Sequence, residues 1–326
     1  MKKLGRISRL LCVTMLFATQ AFAQEKIVIY SAAPQDLIDN VIPAFEKSSR
    51  IKVELIKGGS GDLINRLKAE SGRKTADVLF SVSTDVVEAN GKLFTKYVPE
   101  NVKYLADTFK VNDAAVPFTA VATSFGVNTK LLAPAQYPKV WSDLANPLYK
   151  GKISAGRPDK SGSAFIQLAL ILQIYGEEKG WDIYAKILDN TVLSNSSGAV
   201  SKFVNDGEAV IGLSNEDTLL RYKVGGGPVE LLYPADGTSA IADVMALTAN
   251  PANPDGGKAF INFMLSREAQ EILDSVGRRS VRGDIVPKSA LTPLNKLKLV
   301  KYDDDWAGAN RTRILAKWNE LLLNKK

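Results

Sequence analysis

The residues able to do chemistry in this chain offer oxygen and amide groups. There is no histidine among the 326 residues, and the one cysteine is Cys12. The commonest nucleophile–base pairs are therefore excluded, as is a metal site built on imidazole or paired thiolates. Gly58-Gly59-Ser60-Gly61 lies between a strand pattern and a helix pattern. Its glycines let backbone N–H groups converge, Ser60 adds a hydroxyl, and a helix start of this kind attracts anions. It lacks the Gly-Lys-Ser/Thr ending of a nucleotide-binding loop. Ser161-Gly162-Ser163, before Ala164, is the matching feature further along, and Asn195-Ser196-Ser197-Gly198 is a third. Each taken singly reads equally well as a serine-capped turn. Two of them at strand ends in separate halves of the chain read as one shared anion site.

Glu216 and Asp217 follow an apolar strand. Adjacent carboxylates there could accept hydrogen bonds from sugar hydroxyls or ligate a hard cation; equally, they could serve the start of a helix over 218–223. Arg278, Arg279 and Arg282 could clamp a phosphate but read as a surface basic cluster, and Tyr233 and Asp236 read as turn residues. Acidic pairs of the glycosidase type cannot be picked out, because nothing in the spacing selects one.

These residues must be positioned by alternating strands and helices. Strands are expected over 26–30, 52–56 and 76–80, with helices over 36–47 and 62–70 between them; Pro43 interrupts the first helix. The third strand runs into Ser81-Val82-Ser83-Thr84. Such an order implies a parallel sheet with helices on its faces. A second cycle follows: an apolar crossing stretch over 118–127, strands over 153–155, 191–194, 209–213 and 229–232, and helices over 164–175 and 199–205. The stretch 240–248 returns to the first half, an amphipathic helix pair covers 258–276, and a last helix covers 311–323. A chain that builds one α/β unit, then a second, then returns makes two lobes joined more than once, which permits hinge closure on a ligand. Ligands of such sheets sit at the carboxyl ends of the strands, where the Ser/Gly/Asn/Asp clusters fall.

The first 23 residues read as a cleavable export signal: Lys2, Lys3, Arg6 and Arg9, an apolar run over 10–18, then Ala21-Phe22-Ala23. The run is too short to span a bilayer. Four of the 42 basic and none of the 35 acidic side chains lie in this segment, so the remaining 303 residues carry 38 against 35 and a net charge of +3. The overall charge of +7 thus overstates the basicity of the exported chain, and its basic residues are interspersed with acids, unlike a nucleic-acid stripe. Cys12 leaves with the signal, which suits an oxidising compartment.

Ile29-Tyr30-Ser31, Ala76-Asp77-Val78, Ser161-Gly162-Ser163-Ala164, Asp206-Gly207-Glu208-Ala209-Val210-Ile211-Gly212 and Ala259-Phe260-Ile261-Asn262-Phe263-Met264-Leu265, in this order, resemble the extracellular solute-binding family that includes bacterial ferric-binding proteins. The resemblance covers nearly the whole exported chain. It implies a two-lobed type II periplasmic binding protein fold, with mixed, mostly parallel sheets and hinge strands between lobes. Lobe 1 is expected over 24–120 with 241–290 returning to it, and lobe 2 over 121–240 with 291–326 packing on it. Ferric-binding members usually carry two adjacent tyrosines after the Asp-Gly-Glu motif; this chain has no tyrosine pair, and Ser31-Ala32-Ala33 lacks a histidine. The pattern is closer to the hexose-phosphate-binding branch. By that analogy Ser31, Ser60, Ser161, Ser163 and Ser197 meet a phosphate and Glu216 and Asp217 meet hydroxyls. Gly59, Gly61, Ser83, Gly162 and Ser196 complete the expected ligand-binding set. The function implied is that of a periplasmic receptor, not an enzyme. It would deliver a small anionic solute, a sugar phosphate or phosphonate, to an inner-membrane ABC permease and its ATPase. Neither a cofactor, a resident metal nor a nucleic-acid partner is expected, and the receptor is expected to be a monomer. The alternative is ferric iron with a synergistic anion, held by Glu216, Asp217 and a tyrosine. A secreted phosphate-ester hydrolase using Glu216 is the reading of a different class.

Overall fold

The computed structural model describes residues 25–325 apart from 75 and 113; the signal expected over 1–23 lies outside them. In the first lobe the chain forms β1 (Lys26–Ser31), α1 (Gln35–Ser49), β2 (Lys52–Lys57), α2 (Ser60–Ala69), β3 (Val78–Ser83), α3 (Thr84–Glu88) and β4 (Phe94–Thr95). Strand β5 (Val116–Asn128) leads to β6 (Ile153–Gly156), α4 (Gly162–Tyr175), α5 (Glu177–Asn190), β7 (Thr191–Ser194), α6 (Ser197–Asp206), β8 (Ile211–Asn215), α7 (Glu216–Val224) and β9 (Val229–Leu232). The chain then returns through β10 (Ala240–Thr248), α8 (Pro254–Met264), α9 (Arg267–Ser275) and β11 (Arg279–Ser280), and ends in α10 (Asp304–Leu323).

Strand order runs β2-β1-β3-β10-β5-β8-β6-β7. Parallel pairs build the outer strands of each lobe: β2, β1 and β3 in one, β7, β6 and β8 in the other. Antiparallel pairing enters with the joining strands. The first half of β5 pairs with β10 and its second half with β8 and β9. At about 3.3 Å per residue such a strand is long enough to serve both lobes. The stretch after β9 makes a second crossing, and the segment before α10 a third, bridging to it at Thr238–Leu299.

Side-chain alternation explains the layers. In β1, Ile27 and Ile29 enter one core with Leu37, Phe45, Phe80, Phe118 and Phe260, while Tyr30 enters the core of the opposite face with Leu63, Ile64 and Leu67. Phe260 meets Phe45 and Phe80 edge-on, each at 5.2 Å between ring centroids. The second lobe is built around Phe125, Trp141, Phe165, Trp181 and Trp318. Trp318, Ile314 and Ala307 bring α10 into that core.

Helix α1 continues through Pro43 to Ser49. Pro43 is exposed, so the carbonyl deprived of a helical partner there can be served by water. Two helices, the short α3 and the longer α5, have no counterpart in the sequence reading. Helix α5 places Trp181, Tyr184, Ile187 and Leu188 on a buried face, a helical spacing that was readable. Helix α10 starts at Asp304 rather than near 311, because the Asp303 side chain accepts from Trp306 N (2.8 Å).

Candidate functional site

Between the lobes lies a cleft of about 460 Å³. The residue preceding each of α1, α2, α3, α4, α6 and α7 lies on its wall: Pro34, Gly59, Ser83, Ser161, Ser196 and Asn215. This follows from topology, since the helices after β1, β2, β3, β6, β7 and β8 all begin at the carboxyl ends of parallel strands. First-turn N–H groups need an acceptor from outside the helix. Only at α4 does the preceding side chain supply one, with Ser161 Oγ accepting from Ala164 N (3.3 Å). The other five starts on the cleft have no side-chain cap. Away from the cleft, α8, α9 and α10 are capped, by Asn253, Ser266 and Asp303, while α5, which starts after Gly176, is not. The uncapped donors are thus concentrated where a ligand would sit.

Hydroxyls fill in between these starts. Ser163 Oγ donates to Ser197 Oγ (2.9 Å) and lies 3.1 Å from Ser161 Oγ. Ser83 Oγ is buried on the wall with no protein partner. Of the expected set, Ser31, Gly59, Ser60, Ser83, Ser161, Gly162, Ser163, Ser196 and Ser197 all line the cleft. Gly61 does not. It lies where α2 abuts the other lobe, and its N–H points to Lys160 O (3.4 Å), beside an ion pair of Lys160 with Asp62. A Cβ on Gly59 or Gly61 would stand 2.2 Å from Lys160 O or 2.1 Å from Asp159 O, so only glycine allows the lobes to approach this closely.

Glu216 and Asp217 are a correction. They are fully buried at the start of α7 and are not on the cleft wall. Glu216 takes both ends of Arg279 (2.7 and 2.8 Å), the Tyr233 hydroxyl (2.6 Å) and Ala122 N (2.9 Å). Asp217 pairs with Arg278 Nε at 2.5 Å. Their oxygens close onto arginines about sixty residues later in the chain, which leaves none of these contacts for a ligand. The basic cluster is corrected with them: Arg278 and Arg282 are buried, Arg279 is largely so, and Arg278 lines the cleft. Tyr233 and Asp236 also do more than turn the chain, since Asp236 accepts from the Tyr175 hydroxyl and from Trp141 N.

Asp243, Arg221, Thr123 and Ser214 also line the wall and were not among the expected ligand-binding residues. Asp243 had a signal, being the one charged residue of the apolar stretch 240–248. Its Oδ2 accepts from Ser81 Oγ (2.6 Å) and from Arg278 Nη1 (2.9 Å). Burial pushes the Asp217 and Asp243 carboxyls above the usual carboxylate range, against the pull of Arg278. Arg221 reaches across to Asp36 of α1 at 2.9 Å.

Residues 27–279 match the family described as bacterial extracellular solute-binding protein. The chain belongs to that family. A Salmonella typhimurium relative, provisionally named a 2-aminoethylphosphonate-binding periplasmic protein, is 26% identical over 341 residues, covering 98% of each chain. The periplasmic binding protein AfuA from Actinobacillus pleuropneumoniae, solved with exogenous fructose-6-phosphate bound, is similar with a TM-score of 0.86 and 26% identity, over 91% of this chain and 98% of that one. Iron-bound HitA from Pseudomonas aeruginosa shares the fold, with a TM-score of 0.76 and 22% identity over 90% and 99%. This solute-binding protein is accordingly a transport component of an ABC importer and not an enzyme. Among the described residues no helix is long and apolar enough to cross a membrane.

Proposed function

We propose that this solute-binding protein works in the periplasm as a monomer and captures a small solute through a phosphate or phosphonate group in the interlobe cleft. The observation that carries the reading is the convergence of five uncapped helix starts on one serine-lined wall. Backbone N–H groups and hydroxyls suit a tetrahedral anion, and helix dipoles favour its charge. Ser31, Ser60, Ser83, Ser161, Ser163, Ser196 and Ser197 are the hydroxyls we assign to it, with Gly59 and Gly162 giving backbone access. The names of the AfuA and Salmonella relatives support the same class of solute. Ferric iron finds less support in the donor set. Among the described residues the wall holds one carboxylate and no tyrosine, and no group of three or more acidic residues could hold a metal ion.

Isothermal titration with a panel of organophosphates, phosphonates, inorganic phosphate and ferric citrate tests this. At least one phosphoryl ligand should bind near micromolar Kd, about 8 kcal/mol, which several charge-assisted hydrogen bonds can supply. Ser83→Ala should weaken that ligand by about tenfold, since its hydroxyl has no protein partner to lose. Failure of every phosphoryl compound to bind below about 1 mM would refute the reading.

A further inference from the structure

Helix α10 belongs to the second lobe by its core, yet one of its stripes faces the first. Ala307, Ile314 and Trp318 enter the second lobe's core, whereas Asp304, Gly308 and Arg311 follow one another at four- and three-residue spacing along a stripe that meets α3. Arg311 pairs with Asp85 there, and its guanidinium lies 4.0 Å from the ring centroid of Phe165 in α4. A Cβ on Gly308 would stand 3.6 Å from Glu88 Oε2 and 3.8 Å from Asp85 Cβ, so the two helices touch with nothing between them. Asp85 and Glu88 share a face of α3, being three residues apart. The same α3 starts beside Ser83 on the cleft wall, where Gly162 of the second lobe stands against it: a Cβ on Gly162 would be 3.1 Å from Ser83 Oγ. The contact of α3 with α10 thus continues the contact between the lobes at the cleft.

Carboxyl groups meet across this seam. From α3 come Asp85 and Glu88; from α10 comes Asp304, flanked by Asp303 and Asp305; Tyr302 adds a phenol and α4 the neutral Gln173, which is bonded to the Asp303 backbone. Arg311 is committed to Asp85, and the exposed Lys96 lines a cavity at the rim with Glu88 and Asp305. Asp85 is fully buried, and one oxygen of Asp85, one of Asp304 and the Tyr302 hydroxyl have no hydrogen-bond partner. A buried carboxylate oxygen without a donor is costly while charged, and a proton relieves it. Burial, then the charges of Asp85 and Glu88, accordingly push the Asp304 carboxyl well above the usual carboxylate range.

We propose that the seam between α3 and α10 is a proton-operated latch: a proton held at Asp304 lets the two acidic faces meet, so closing the lobes on the solute takes up a proton. A hinge motion that parts Gly162 from Ser83 also parts α10 from α3. Burial within its own lobe acts on Asp304 in both forms, whereas the charges of Asp85 and Glu88 act on it only in the closed one. The closed form therefore binds the proton more tightly, is favoured in acid, and loses that advantage as pH rises through neutrality. Asp304 touches no solute and acts through closure. The inference uses closure alone and is independent of the solute's class.

The test is titration calorimetry at pH 5 and pH 8 on the unmodified exported protein, Asp304→Asn and Glu88→Gln. The probe is whichever of fructose 6-phosphate, ethylphosphonate, inorganic phosphate and ferric citrate binds most tightly. A probe's own ionisation acts alike on all three proteins, so the readout is the ratio of Kd at pH 8 to Kd at pH 5, compared between proteins. Two facing charges that raise a carboxyl by about one pKa unit on closure change affinity by up to about tenfold. The ratio for the unmodified protein should exceed that of Asp304→Asn by about 5- to 10-fold, with the variant binding more tightly at pH 8 and about equally at pH 5. Glu88→Gln keeps an oxygen for Asn112 but removes one facing charge, and should cut the excess to below about fourfold. Ratios within twofold of each other overturn the proposal, as does Asp304→Asn weakening binding by the same factor at both pH values, the mark of a merely structural side chain. Should Asp304→Asn not fold, equal ratios for the unmodified protein and Glu88→Gln overturn it. If a phosphoryl compound binds without the pH effect, only this inference falls; if ferric citrate alone binds and shows it, the phosphoryl reading falls and the latch stands.

Discussion

Replacing Gly61 by alanine should move stability and affinity in opposite directions. Gly61 lies in the first turn of α2, where alanine removes backbone freedom from the unfolded chain and favours the helix by up to about 1 kcal/mol. With the lobes together, however, the new Cβ would stand 2.1 Å from Asp159 O and 3.5 Å from Lys160 Cα. Ordinary contact needs more than 3 Å, and the obstacle is backbone rather than a side chain that could swing aside. The lobes must therefore stay further apart, losing the Gly61 N–H to Lys160 O contact and loosening the Lys160–Asp62 pair. Overpacking of this kind costs about 1–3 kcal/mol. Because only the closed form bears the cost, it appears as a loss of ligand affinity of roughly 5- to 150-fold. The assay is paired: thermal melting without ligand, and titration with the phosphoryl compound that binds the unmodified protein most tightly. A melting temperature equal or higher, with Kd weakened at least fivefold, is the expected result. A Kd within twofold of the unmodified protein would show that closure does not use this contact, and the reasoning would be wrong.

Two further outcomes follow from buried charge. Glu216→Ala strips the partner from Arg279 and Tyr233, and should destabilise the fold by about 3–5 kcal/mol in urea unfolding, a loss that marks the carboxylate as structural. Asp304 is a pH-sensitive group: burial, then the charges of Asp85 and Glu88, push its carboxyl up to about 7. A raised carboxyl binds its proton more tightly in the folded state, so the contribution of Asp304 to stability is full in acid and is lost as pH rises from about 4 to about 7, by about 2–4 kcal/mol. Asp304→Asn imitates the protonated form. It should raise the melting temperature clearly at pH 8 and little at pH 4; an equal effect at both would refute the assignment.

What was legible in the sequence and what was not divide along a physical line. The serine and glycine helix starts could be read because their signal is local: a strand, a small polar cluster, a helix, all within a few residues. Backbone N–H groups then need only the topology to converge, and parallel strands impose that. Helix α5 was missed although its apolar spacing is equally local; it opens directly after Gly176 (φ 79°), one residue beyond α4 and without a side-chain cap to mark a start. The charged residues failed for a different reason. Glu216 and Asp217 look available beside an apolar strand, yet their fate is decided by Arg278 and Arg279 sixty residues on. Conversely Asp243, alone in an apolar strand, is on the cleft wall because the strand slips register there. Whether a carboxylate is spent on a neighbouring arginine or left facing a cleft depends on long-range pairing, to which composition and spacing are blind. A hydroxyl or amide is less exposed to this error, since it offers a donor whether or not a distant charge arrives. In this fold the small polar helix starts on the cleft are therefore readable from sequence, while which carboxylates reach its wall becomes visible only once the strands are in register.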